Sequence, residues 1–158
     1  IGAASYFIED GVILRRENAQ GEVTEERVQE DVDAVEIPLV TLVNGGTASG
    51  AEVLTGALQD HERASAVGVT TFGAGTVLNA FDLPGGSLLL LATEEWLTPD
   101  GRVIWQEGLE PDIEVALSEG AAPLMRFQLE EITAEELQNS DDQQLLRALE
   151  LLADGDGE

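Results

Sequence analysis

The chain has 158 residues, 43% of them hydrophobic, which is enough for one core. Its 32 acidic residues against 7 basic ones give a formal charge of −25, which argues against nucleic acid as a partner, because phosphate contacts need Lys and Arg. All seven basic residues are arginines, no cysteine is present and there is one histidine, so a lysine base, a thiol nucleophile, a disulfide, a thiolate metal site and a multi-histidine zinc site are all excluded, and no metal or cofactor is expected.

The opening "IGAASYFIEDGVIL" lacks the basic n-region of a signal peptide, and no apolar run approaches membrane-spanning length. The first residue is not Met, which reads as a fragment. "IGAASYFI" suits the tail of a short helix and "GVILRREN" a strand, followed by an acidic hairpin tip or loop of weak strand character. "IPLVTLVN" is a near-continuous β-rich apolar run, so Ile37–Val43 is predicted to be a central strand buried on both faces. Helical spacing of Val53, Leu54, Ala57 and Leu58 predicts a helix over Ser49–Glu62, and "ASAVGV" a second buried strand. Strand, helix and strand in so short a span form a βαβ unit with a parallel pair.

"GTVLNAFDL" and "SLLLLATEEWLT" flank "PGG" and predict a hairpin, and "PDG" predicts a turn into a strand at "RVIWQEG". Trp96 and Trp105 are expected to sit in strands as packing residues. "GLEPDIEV" reads as extended, with "EPDIE" an exposed loop. The terminal segment contains an amphipathic helix with Leu145, Leu146, Leu149 and Leu152 on one face. There is no internal repeat and no clear linker, so one α/β domain is expected.

Ser49-Gly50-Ala51-Glu52 has the S-x-x-E pattern of a capping box. The same position has a chemical reading. A serine at a helix N-terminus faces unpaired N–H groups and the positive end of the helix dipole, which can stabilise an oxyanion. Small neighbours, Gly45, Gly46, Ala48, Gly50 and Ala51, leave room for a peptide backbone. Local pattern leaves both readings open.

Four blocks, "LVNGGTASGAEVLTGALQD", "RASAVGVTTFGAGTV", "LTPDGRVI" and "GLEPDIEV", together resemble the carboxyl-terminal processing, or tail-specific, peptidases of serine peptidase family S41. The family pattern runs V-N-x-x-S-A-S-A-S-E, Q-D, T-F-G-K-G, Y-T-P-x-G-x-x-I and G-I-x-P-D. The match extends over about residues 37–115, and "DDQQLLRALELL" resembles the family's closing helix. The resemblance implies a mixed α/β fold with packed helices, like the crotonase and Clp-type protease core. It implies a serine endopeptidase acting on polypeptides near their C-termini without a cofactor, on the extracytoplasmic or periplasmic side of a bacterial envelope. It places the nucleophile at Ser49, a supporting aspartate at Asp60 and backbone oxyanion contacts at Gly50 and Gly46. A peptide-binding PDZ domain and an N-x-G-G oxyanion segment normally precede these blocks. Residues 1–158 are therefore expected to be the C-terminal portion of the protease core, without them.

The family's base, the lysine of T-F-G-K-G, falls on Ala74. A serine hydroxyl needs a base to take its proton, and no lysine elsewhere can replace it. His61 lies twelve residues from Ser49 on the same helix, roughly 18 Å away. It and Arg63 are expected to complement the helix C-terminus. Glu52 is a nearer but weaker candidate acceptor. The resemblance thus implies either an impaired peptidase or a non-catalytic peptide-binding relative.

Overall fold

The computed structural model describes residues 1–29 and 33–155. The α/β class is as expected, with antiparallel and parallel strands divided between two sheets. β1 (Val12–Asn18), β2 (Val23–Arg27), β5 (Thr76–Asp82) and β6 (Leu88–Leu97) form an antiparallel sheet in the order β2-β1-β6-β5. β3 (Val40–Val43), β4 (Ser65–Gly68) and β7 (Ile113–Glu114) form a parallel sheet in the order β3-β4-β7. The helix α2 (Gly50–Asp60) joins β3 to β4, which gives the predicted βαβ unit.

The apolar stripe of α2 explains where the core sits. Val53, Ala57 and Leu58 bury against Ile13 and Leu14 of β1, with Ala4 of α1 (Gly2–Ser5), Ile8 and Ala64 closing the cluster. Gly56 faces the other way. A Cβ there would lie 2.7 Å from Thr98 Cγ2 and 3.2 Å from Leu109 Cδ1, so its absence lets the helix dock closely on both. On the β1 side, Arg16 pairs with Glu26 at 2.7 Å and Glu94 at 3.1 Å across two strand neighbours. The β5–β6 hairpin turns where predicted, and Leu78, Leu88 and Leu90 on it are exposed.

Five expectations need correction. The "IPLVTLVN" run is a strand only over Val40–Val43 and lies at a sheet edge, beside the central β4. Ile37 and Leu42 are about half exposed, at 52% and 48%. Pro38 has no N–H for a ladder, and Arg63 takes the Val35 and Ile37 carbonyls at 2.8 Å each. "RVIWQEG" is not a strand beyond one bridge between Val103 and Leu97. Its backbone turns at once, with Gly108 N–H donating to Ile104 O at 2.9 Å and Gln106 at φ 62°. Trp105 therefore sits in a turn, whereas Trp96 lies in β6 and packs on the core.

The terminal segment breaks into short α3 (Arg126–Leu129) and α4 (Ala134–Gln138), then α5 (Gln143–Gly155). α5 packs on β3 and β4. Its most buried residues are Gln144 and Ala148, while Leu149 is 40% exposed, so the face is rotated from the predicted leucine stripe. The cause is polar: Gln144 Nε2 donates to Val115 O at 2.8 Å, which fixes that residue inward.

The last two corrections concern the basic residues after α2 and the segment that packs beside it. His61 Nε2 bonds Val12 O at 2.7 Å, and Arg63 Nε donates to Phe7 O at 2.9 Å. They tie neighbouring segments to the helix end and do not serve its terminal carbonyls. "EPDIE" is likewise anchored, since Asp112 Oδ2 accepts from Ala66 N at 2.7 Å and Gln59 Nε2 at 3.1 Å.

Candidate active site

Ser49 is the N-cap of α2, at φ 58° and ψ −122°. An ordinary N-cap is extended and uses its side chain to accept a helix N–H. Ser49 does neither, and its side chain makes no capping hydrogen bond. The S-x-x-E box is present in outline, but only its acidic half is a hydrogen bond of normal geometry, with Ser49 N–H donating to Glu52 Oε2 at 2.8 Å. The backbone of a non-glycine residue at this φ is strained, and such strain persists where neighbours over-determine it. The exposed serine thus has a hydroxyl free of capping duty.

Glu52 supplies the over-determination. It is fully buried. Besides the Ser49 amide, it accepts from Thr71 Oγ1 at 2.6 Å and Gly73 N at 2.6 Å through Oε1, and from Ala74 N at 2.9 Å through Oε2. The amides of residues 49 and 74 therefore share one carboxylate oxygen. A carboxylate offers about four lone-pair directions, and four donors fill them here. That leaves Glu52 no free site for the serine proton, which removes it as a proton acceptor and makes it a clamp between two loops.

The loop carrying Ala74 is fixed from its other side as well. Phe72 N–H donates to Thr47 O at 2.9 Å, and Gln106 N–H to Gly73 O at 3.0 Å. A Cβ on Gly73 would lie 2.9 Å from Gly108 N, and one on Gly75 2.6 Å from Ile104 Cβ. Gly73 also has φ 82°, where a side chain is disfavoured. None of these contacts involves the Ala74 side chain, so the backbone at 74 is set whatever residue stands there.

The remaining predicted residues separate. Gly50 is exposed, has open space where a Cβ would be, and among the described residues its N–H has no hydrogen-bond partner. Gly46 differs: its N–H donates to Asn44 Oδ1 at 2.8 Å, inside a loop closed by Asn44 N to Thr47 Oγ1 at 3.0 Å. In this conformation Gly50 has a free N–H donor and Gly46 does not. Asp60 closes the far end of the unbroken α2, on the order of 16 Å from Ser49. It pairs with Arg102 and accepts from Asp100 N at 2.8 Å, holding the "PDG" turn. No cluster of three or more His, Asp or Glu side chains suited to a metal ion occurs among the described residues.

The sequence reading missed Thr71. Its signal lay only in the distant T-F-G block, because nothing in local periodicity links residues 52 and 71.

A serine with a free hydroxyl at a helix N-terminus, beside an unpaired backbone N–H, brings together the groups that acyl transfer uses. The chain belongs to peptidase family S41, whose model matches residues 1–115. The carboxyl-terminal-processing protease of Synechocystis sp. is 37% identical over 110 residues, 69% of this chain and 25% of that protein. The "Probable CtpA-like serine protease" of Staphylococcus haemolyticus is 42% identical over 78 residues, 49% of this chain and 16% of that protein. Among solved structures, the photosystem II D1 C-terminal processing protease superposes with a TM-score of 0.67 at 33% identity. That superposition covers 72% of this chain and 30% of the protease. The chain thus spans a quarter or less of the length of these curated relatives.

Proposed function

We propose that the chain carries the nucleophile portion of a serine endopeptidase that cuts polypeptides near their C-termini, and that Ala74 leaves it catalytically impaired. Ser49 Oγ would attack the scissile carbonyl carbon, the C–N bond would break and the leaving amine would take the proton given up by the hydroxyl, leaving an acyl-enzyme that water then hydrolyses. Gly50 N–H would stabilise the oxyanion. Among the described residues no side chain is placed to relay that proton, because residue 74 lacks a basic atom and Glu52 is saturated. The observation that carries this reading is the strained, uncapped Ser49 clamped by one carboxylate to the residue-74 loop. Within the whole protein, residues 1–158 would form the C-terminal portion of the protease core.

The absence of any lysine supports a second reading, a non-catalytic relative that binds peptide segments without cutting them. Fluorophosphonate labelling of the full-length protein tests both. The impaired-peptidase reading expects little labelling of the natural protein and clear labelling of Ser49 after Ala74→Lys. Robust labelling of Ser49 in the unaltered protein would sink both the impaired reading and the non-catalytic one.

A further inference from the structure

We propose that Thr71 is a positioning residue for the Ser49 site, acting through Glu52; this deepens, and rests on, the reading of Ser49 as nucleophile. Thr71 is buried, at 6% exposure. Its Oγ1 lies between two buried groups, donating to Glu52 Oε1 at 2.6 Å and accepting from Leu109 N at 2.8 Å. The direction is fixed by chemistry. An amide N–H can only donate, so the Leu109 amide occupies a hydroxyl lone pair and the hydroxyl proton is left for the carboxylate. Two hydrogen bonds that share one hydroxyl polarise and strengthen each other.

The consequence reaches Ser49 because a carboxylate is planar and rigid. Oε1 is held by Thr71 and Gly73, and this orients Oε2, which holds Ser49 and Ala74. Thr71 is itself gripped by its backbone, with its N–H donating to Leu109 O at 3.1 Å. Leu109 follows the 104–108 turn that packs on Gly73 and Gly75. The "RVIWQEGL" segment is therefore connected to the nucleophile amide through two side chains, Thr71 and Glu52. Removing the hydroxyl would take one donor from Glu52 and leave the buried Leu109 amide without its acceptor.

The test is amide hydrogen exchange and amide proton shifts by NMR on the full-length protein. Thr71→Val keeps the branched shape and deletes both bonds, whereas Thr71→Ser keeps the hydroxyl. Exchange at Ser49, Gly73 and Ala74 should accelerate about tenfold or more in Thr71→Val, while amides of β1 keep their protection. Thr71→Ser should restore exchange and shifts to near wild type. Thr71→Ala, which adds no bulk, gives the same readout if Thr71→Val folds poorly. Unchanged amides at 49, 73 and 74, or a loss spread equally over β1, would overturn the proposal. The readout needs no catalysis, so its failure is distinguishable from failure of the nucleophile reading, which labelling decides.

Discussion

Ser49 departs from a helix cap in backbone as well as side chain, and the two departures have one cause. At φ 58° the residue cannot place its hydroxyl as an extended N-cap does, so Glu52 alone satisfies the turn. The strain is a property of having a Cβ at this φ. Replacing Ser49 by Gly should therefore give a protein more stable than Ser49→Ala, by about 1 kcal/mol in denaturant unfolding. Equal stability of the two variants would show that the backbone at 49 is not held in this region. Because the hydroxyl caps nothing, Ser49→Ala itself should lie within about 0.5 kcal/mol of wild type, as surface substitutions do. A loss of about 1 kcal/mol or more would return Ser49 to the role of a cap.

At the scale of elements, α2 places Ser49 at one end and Asp60 at the other, and each end is tied by a carboxylate to a separate loop. α4 shows an ordinary cap by contrast. Thr133 N–H donates to Glu136 Oε2 at 2.9 Å, the Thr133 hydroxyl donates to it at 2.7 Å, and Glu136 N–H donates to Thr133 Oγ1 at 3.3 Å. The Thr133 hydroxyl first, then its amide, holds the Glu136 carboxyl below its ordinary value of 4.5. A lowered folded value means stability present above the ordinary value and lost as pH falls through the lower one. NMR titration should therefore find Glu136 titrating below its ordinary value of 4.5, with α4 fraying as it does. Thr133→Ala should move Glu136 back up, and an unmoved titration would contradict the cap.

Legibility also divides by element. The βαβ unit and the hairpin could be read because their signals are local: helical spacing in 53–58, a turn at "PGG", and β-rich runs. The extent of β3 could not be read, since Arg63 captures carbonyls from residues 35 and 37, far away in sequence. The same holds for the site. Ser49 and Glu52 were legible from the S-x-x-E pattern and residue 74 from the family resemblance, but the clamp joining them was not. Nor was the Thr71 relay, because both depend on a buried contact across 19 or more residues.

Over the whole molecule, charge is the dominant imbalance. Six of the seven arginines pair with carboxylates among the described residues, and Arg63 binds backbone carbonyls. The surplus acids repel one another across the surface. Screening shortens that repulsion from a range of roughly 10 Å at 0.1 M salt to about 3 Å at 1 M. The melting temperature should accordingly rise with sodium chloride over this range, and a fall would show that the ion pairs outweigh the repulsion. The central claim concerns a smaller region, two loops fixed so that residue 74 belongs to the Ser49 site whatever its side chain. Ala74→Lys in the full-length protein tests it most directly, assayed on an unstructured peptide across pH. Cleavage should appear, rising with pH as the lysine loses its proton, by a factor on the order of 10² to 10⁴ that general-base assistance brings, and Ser49→Ala should abolish it. A folded Ala74→Lys protein that cleaves no such peptide would contradict the account.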